Sequence, residues 1–148
     1  MNSRISSSHA TSEQPYQFHW TVQEEEIDGL NHVNNLNYLR WTNRAAHAHS
    51  ASVGWSSEKF KEHGSGFVVR SHEIQYRLPA LMGDEICVET WIGSFDRFSS
   101  ERHYRIVRSK DGKLLAKAKT VWAFVNFEKM RLAAIPQALA SAFGRALT

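Results

Sequence analysis

A strand, a long helix, a short helix, four strands and a closing helix follow one another along this chain. That order predicts an α+β domain whose antiparallel sheet lays one face on the long helix. Two observations carry the prediction. Apolar residues recur at helical spacing from Asn35, whereas from Phe67 onward they recur at every second position. Lys110-Asp111-Gly112-Lys113 also joins two of the later runs, and Asp-Gly supplies the turn conformations favoured between antiparallel strands.

Tyr16–Val22, YQFHWTV, is rich in aromatic and β-branched residues and reads as the first strand. Glu24–Glu26 and the turn formers Asp28, Gly29 and Asn31 end it. The long helix follows from Asn35 to about Ser50, with Asn34 or Asn35 as its N-cap. On its inner face Leu36, Leu39 and Ala46 are expected, widened by Tyr38 and Trp41. Ser56 or Ser57 opens a short helix, SEKFKEH, that ends at His63 before Gly64-Ser65-Gly66. Four strand-like runs come next, at Phe67–Tyr76, Asp84–Ile92, Glu101–Arg108 and Leu114–Phe127. The last carries Ala116, Ala118, Thr120, Trp122 and Phe124 on one face, then Val121, Ala123 and Val125 on the other, so it is expected in the middle of the sheet. Pro136 suits the first turn of a terminal helix, QALASAFGRAL.

Composition narrows the function. A chain of 148 residues with 42% hydrophobic content suits one domain, here 16–148, behind a polar, Ser-rich and flexible arm over 1–15. No apolar run nears the roughly 20 residues of a membrane span, and the arm lacks the apolar middle of a secretory signal, so a cytoplasmic protein without membrane partners is expected. The net charge of +3 is scattered rather than gathered into a stripe, which speaks against nucleic acid as a partner. A lone cysteine, Cys87, in the alternating run EICVETW reads as a buried, inert thiol. His47 and His49 stand two apart on a helix and do not face each other, and no HExxH spacing occurs, so no metal site is expected. Nothing matches a Gly-x-Ser-x-Gly nucleophile elbow or a P-loop.

One segment, Glu26–Trp41 (EIDGLNHVNNLNYLRW), gathers the chemistry. It sets an acid, an imidazole and two adjacent amides at the entrance to the long helix, where unpaired N–H groups and partial positive charge collect. Those groups suit a reaction that develops negative charge on a carbonyl oxygen. Asp28 is the candidate nucleophile or general base, with an Asx-turn as its ordinary alternative. His32 is a candidate donor or proton carrier, and Asn34 and Asn35 are candidates to cap the helix and brace the loop. Tyr76, Pro79, Gly83 and Asp84 read as turn chemistry after a strand, and Arg70, Arg77 and Arg97 as surface residues able to meet phosphates. Trp20, Tyr38, Trp41, Trp55 and Phe67 form an aromatic set divided between core and pocket.

The segment DGLNHVNNLNYLRW resembles the Asp-x-x-Gly-His-Val-Asn-Asn-x-x-Tyr-x-x-Trp motif of hotdog-fold acyl-CoA thioesterases of the 4-hydroxybenzoyl-CoA thioesterase-like family. IQYRLPALMGDEICVET resembles that family's second signature, and AKAKTVWAFVNF with IPQAL its last strand and tail, so the likeness spans about Phe18 to Phe143. It implies a long helix wrapped by a curved antiparallel sheet, two subunits whose sheets join, a homodimer or homotetramer, and active sites at the subunit interface. Asp28 matches the family's catalytic carboxylate, His32 and Asn34 match positions shaping the loop, and Tyr38 and Trp41 match positions lining or supporting the acyl pocket. Asn31 replaces the usual glycine and must rely on asparagine's tolerance of left-handed geometry. Thr42-Asn43 stands where many relatives carry a glutamate.

The resemblance implies hydrolysis of an acyl-CoA thioester to a free acid and coenzyme A, with no cofactor beyond the coenzyme A of the substrate itself. The alternatives are an enzyme acting on acyl carrier protein thioesters or a dehydratase of the same fold, and a non-catalytic acyl-CoA binding module. Which basic residues meet the CoA phosphates is not legible.

Overall fold

Alternating burial along Tyr16–Thr21 defines strand β1. The computed structural model describes residues 14–148, so most of the arm expected over 1–15 lies outside the described residues. A 3-10 turn at Glu24–Glu26 leads through a loop to helix α1, Asn35–Ser52, and then to the short helix α2, Ser57–His63. Strands β2 (Ser65–Tyr76), β3 (Glu85–Phe95), β4 (Ser99–Arg108), β5 (Leu114–Asn126) and β6 (Arg131–Leu132) follow, and helix α3, Gln137–Ala142, comes last.

The elements expected from the sequence are present in order; β2, β3 and β4 run about two residues longer than expected, and β1 and β5 end one residue sooner. β3 runs on to Phe95 through a register shift between Ile92 and Ser94, where Gly93 leaves room for the His103 ring. A Cβ on Gly93 would sit 2.8 Å from that ring, so the close approach requires glycine. The terminal helix stops sooner than expected, because Phe143 ends it and Gly144 turns left-handed at φ 71°. β6 is new: its two residues carry no alternation long enough to read, and it forms by pairing back on β5.

All pairings are antiparallel, in the order β1-β3-β4-β5-β2, with β6 also on β5. β5 is flanked by β4 and β2, as its two apolar faces require. The inner face of the sheet wraps α1 in a long-helix, curved-sheet hotdog architecture. Tyr38, Trp41, Ala45 and Ala46 of the helix pack with Ile86, Val88, Tyr104, Ile106, Ala116 and Ala118 of the sheet. A second cluster, around Trp55, Ile92, Phe95, Phe124, Ile135 and Leu139, fills the other end under α2 and α3.

Of the inner face expected for the helix, Tyr38, Trp41 and Ala46 are buried and Leu39 is half-buried, but the face is rotated away from Leu36. Thr42 and Ala45 are buried as well, whereas Leu36 is 60% exposed. Small residues at 42, 45 and 46 let the helix approach the sheet closely, and that approach decides its rotation over leucine content. Cys87 is buried as expected, and burial followed by the neighbouring Glu89 pushes its thiol up to about 11.

Candidate active site

An antiparallel bridge between Ile27 and Val33 pinches residues 28–32 into a closed loop. The Asp28 N–H donates to the His32 carbonyl at 2.8 Å, and the Asn31 N–H donates to the Asp28 carbonyl at 3.2 Å. Asp28 Oδ1 accepts from the Leu30 N–H at 2.9 Å, the Asx-turn foreseen as its ordinary role. That bond occupies one carboxylate oxygen of an exposed side chain, and the second accepts no hydrogen bond among the described residues. Asn31 adopts φ 65°, the left-handed geometry its glycine-like position demands.

The loop is tied to the start of α1. Asn34 is the N-cap, its Oδ1 accepting from the Leu36 N–H at 2.9 Å, a bond worth about 1 kcal/mol. Its own N–H donates to the Glu26 carbonyl at 2.9 Å, and Asn37 Nδ2 reaches that carbonyl at 3.2 Å. The Asn35 N–H, at the first helical position, donates to no acceptor among the described residues. An unclaimed donor at the positive end of an 18-residue helix is the kind of group that steadies an oxyanion.

Two further devices hold this platform. Glu26, read from the sequence only as part of an acidic strand end, is buried and accepts three hydrogen bonds. Trp20 Nε1 donates to its Oε1 at 3.1 Å, the Gln23 N–H to Oε1 at 2.8 Å, and Trp41 Nε1 to Oε2 at 2.9 Å. The signal for it was present in the two tryptophans, because a buried indole N–H needs an acceptor. The second device is the turn after β2. Its Ala80 N–H donates to Tyr38 Oη at 2.9 Å, and its Ala80 carbonyl accepts from the Val33 N–H at 3.2 Å. Gly83 at φ 81° and Asp84, whose Oδ2 accepts from the Leu81 N–H and from Arg108 Nε, shape that turn. The turn chemistry expected for Pro79, Gly83 and Asp84 thus clasps the Asp28 loop from behind.

The structure brings Asp28, Asn31, His32, Asn34 and Asn35 together at one exposed end of α1. Tyr38 and Trp41 lie beneath them, 2% and 0% exposed, and Trp20 packs under Arg44 at 4.2 Å. These three brace the loop from inside the chain. Trp55 and Phe67 instead line a cavity of about 240 Å³ between the second half of α1, α2 and the sheet. Arg70, Arg77 and Arg97 are exposed.

Arg102 also lines that cavity, and the sequence reading missed it. The clue lay in β4, where Arg102 alternates in phase with the buried Ser100, Tyr104 and Ile106. Arg102 Nη1 donates to Thr90 Oγ1 at 3.0 Å and to His49 Nδ1 at 2.9 Å. Burial, then the adjacent guanidinium, lowers the His49 pKa to about 3, which keeps Nδ1 free to accept. Burial brings Arg102 down to about 10, still charged at neutral pH. Among the described residues no group of three or more His, Cys, Asp or Glu side chains is placed to hold a metal ion, and no helix is long and apolar enough to cross a membrane.

With the helix-entrance loop, the clasp and the wrapped sheet established, a family model described as the thioesterase-like superfamily matches residues 22–143. The chain belongs to the thioesterase-like superfamily. Among solved thioesterase folds, a 1,4-dihydroxy-2-naphthoyl-CoA thioesterase from Synechocystis superposes with a TM-score of 0.81. The two share 21% identity, and the match covers 87% of this chain and 95% of that one. A Staphylococcus aureus protein solved in complex with CoA gives 0.83 at 20% identity, covering 93% and 86% of the two chains. At these identities the likeness shows the fold. Of the curated thioesterases, the chloroplastic palmitoyl-acyl carrier protein enzyme of Gossypium hirsutum is 28% identical over 107 residues. That alignment covers 69% of this chain and 25% of the relative, so the chain spans about a quarter of the length of that thioesterase.

Proposed function

We propose that this member of the thioesterase-like superfamily hydrolyses an acyl-CoA thioester to the free acid and coenzyme A. The observation that carries the reading is the exposed Asp28 carboxylate, one oxygen taken by its own turn, in the loop that leads into α1, where the Asn35 N–H has no acceptor among the described residues. The Asn35 N–H and the helix end would take up the charge that develops on the thioester oxygen. Asp28 then attacks the carbonyl carbon directly or deprotonates a water that does so, and the CoA thiolate leaves and is protonated. His32, exposed on the same loop, would touch the substrate, with Asn31 and Asn34 holding the loop geometry. Asn43, an exposed amide on α1, has no carboxylate to offer and would at most orient water or substrate.

The site is proposed to complete itself between two subunits. β2 is an edge strand of 12 residues, exposed along its middle, with Val68 and Val69 about 40% open at 39% and 43%. A long unpaired edge of this kind invites a second copy of itself. Two-fold pairing about the middle of β2 would lay the Tyr76 end of one protomer, which touches Tyr38 behind the Asp28 loop, beside the Gly66–Phe67 end of the other, at the cavity. Whether such dimers pair again into tetramers depends on the outer sheet face.

Thiol release from short, medium, long and aryl acyl-CoAs tests the reading, with wild type and Asp28→Asn side by side. Wild type should turn over at least one substrate, and the folded variant should lose about 10²–10⁴-fold in kcat. Full turnover by a folded Asp28→Asn protein removes the assignment. Acyl carrier protein thioesters belong in the same panel, since the chloroplastic relatives are named for them. Turnover confined to those substrates would move the function to carrier-protein thioesters.

A further inference from the structure

The cavity beside α2 contains more than an apolar wall needs. Trp55, Phe60, Phe67, Ile92, Phe95 and Phe143 make it a pocket for a hydrocarbon or aryl group. A space of about 150 Å³ already accepts a benzene ring, and this one measures about 240 Å³. Yet Arg102, only 4% exposed, stands in its lining.

A guanidinium carries five donors. Here Nη1 serves Thr90 and His49, both neutral acceptors, and Nε and Nη2 have no acceptor among the described residues. No carboxylate among the described residues pairs with Arg102, whereas on the same strand Arg105 pairs with Glu89 and Arg108 with both Asp84 and Asp111. Taking a charge out of water without a counter-charge is costly. Thr90 and His49 fix the orientation of the guanidinium, and the Phe143 ring lies 5.7 Å from it, so a charge with no carboxylate partner among the described residues is held at the wall of the pocket. His49 is itself seated, its ring stacked on Tyr16 at 4.9 Å and edge-on to Phe143 at 4.8 Å.

We propose that this cavity is a binding site for an apolar group of acyl size that carries a carboxylate, and that Arg102 is the residue that receives the carboxylate. The inference rests on the thioesterase reading only for the origin of the ligand. The carboxylate is either that of the released acid or a second acidic group at the far end of the acyl chain. Lys61, also in the lining, lies on the exposed face of α2 and would add attraction at the mouth. Arg102 is a binding residue here and takes no part in bond breaking.

Calorimetric titration of the whole protein with benzoate and hexanoate, against benzamide and hexanamide, tests the site without requiring turnover. Wild type should bind at least one acid about tenfold or more tighter than its amide, since a desolvated charge pair discriminates well beyond shape. In Arg102→Gln, which keeps a donor for Thr90 and His49, that ratio should collapse to near one while the amide affinity is held. A purely structural role would weaken acid and amide alike, so equal losses, a ratio unchanged in the variant, or no binding of any acid overturns the proposal. Should Arg102→Gln fail to fold, Arg102→Lys serves, with a reduced but surviving ratio expected and an unchanged one overturning the proposal.

Comparing adipoyl-CoA with hexanoyl-CoA separates the two origins. A lower KM for adipoyl-CoA that Arg102→Gln abolishes marks the distal acid, and competitive inhibition by hexanoate that the variant relieves marks the product; either supports the site. A protein that binds the acids and cleaves no thioester keeps this site and loses the thioesterase reading.

Discussion

Replacing Glu26 by alanine should unfasten the loop that carries Asp28, and its cost can be worked from the structure. The side chain accepts from two indoles and one backbone N–H. Trp41 is wholly buried, so its orphaned Nε1–H would bear the full penalty of an unsatisfied buried donor, about 1–3 kcal/mol. Trp20 is half-buried and Gln23 exposed, so their N–H groups can turn partly to water and together add about 1 kcal/mol. The expected total is about 3 kcal/mol, read as a lower urea midpoint at unchanged slope. Glu26→Gln keeps one carbonyl acceptor but turns an NH₂ toward one of the donors, and should cost less than Glu26→Ala. Trp41→Phe supplies the control. In that background Glu26→Ala should cost at least about 1 kcal/mol less, because the two groups interact directly. Additive losses within about 0.3 kcal/mol, or a Glu26→Ala protein as stable as wild type, would refute the claim that this carboxylate anchors the platform.

The remaining expectations follow from single residues. Asn31→Val should destabilise by about 1–2 kcal/mol, and Asn31→Gly should be near neutral, because φ 65° penalises a β-branched side chain; urea unfolding of both checks it. His49, with its pKa depressed from 6.5 to about 3, resists in the folded state a proton that the unfolded chain takes up. Stability from this source is therefore full above pH 6.5 and falls as the pH drops toward 3, by at most about 1.4 kcal/mol per unit. His49→Gln, which keeps an acceptor for Arg102, should flatten that slope, and an equal slope in variant and wild type would refute the cause. Cys87, with its thiol pushed up to about 11, should react slowly with a disulfide reagent at pH 8 in the native protein and quickly once unfolded. Fast native labelling would contradict its burial.

The parts of the molecule that were legible are those fixed by local chemistry. Asn34 and Ser56 cap helices because their side chains reach the N–H groups just ahead of them. Gly64 ends α2 at φ 87°, and Asp111-Gly112 turns a hairpin. The Asp28–Asn35 constellation was legible for the same reason, since its members lie within one turn and one helix start. What was not legible depends on partners distant in sequence. Glu26 gains its meaning from Trp41, and Arg102 from His49. On α1 Tyr38, Trp41 and Ala46 were legible as inward, whereas Leu36 was not legible as exposed, because leucine spacing does not reveal how closely a Thr-Ala-Ala stripe can approach a sheet. Pocket membership failed similarly: Trp20, Trp55 and Phe67 are alike in sequence, yet only the last two reach the cavity.

The same distances bear on how the chain can work at all. From Asn35 to Ala46, the first cavity residue on α1, the helix climbs about 16 Å. A carboxylate at the mouth of the helix and a pocket past its middle are too far apart for one short acyl thioester to bridge inside a single chain. Leu30 in the Asp28 loop and Leu36 in the first turn of α1 are also 76% and 60% exposed. Exposed apolar groups around the carboxylate proposed to react make a poor site on their own, because water reaches every charge and weakens it. The proposed dimer would remedy both difficulties, if a second subunit across the β2 edge covers the leucines and presents its own cavity to the Asp28 loop. On that reasoning the fold of one chain supplies the two halves of a site, and association decides whether they meet.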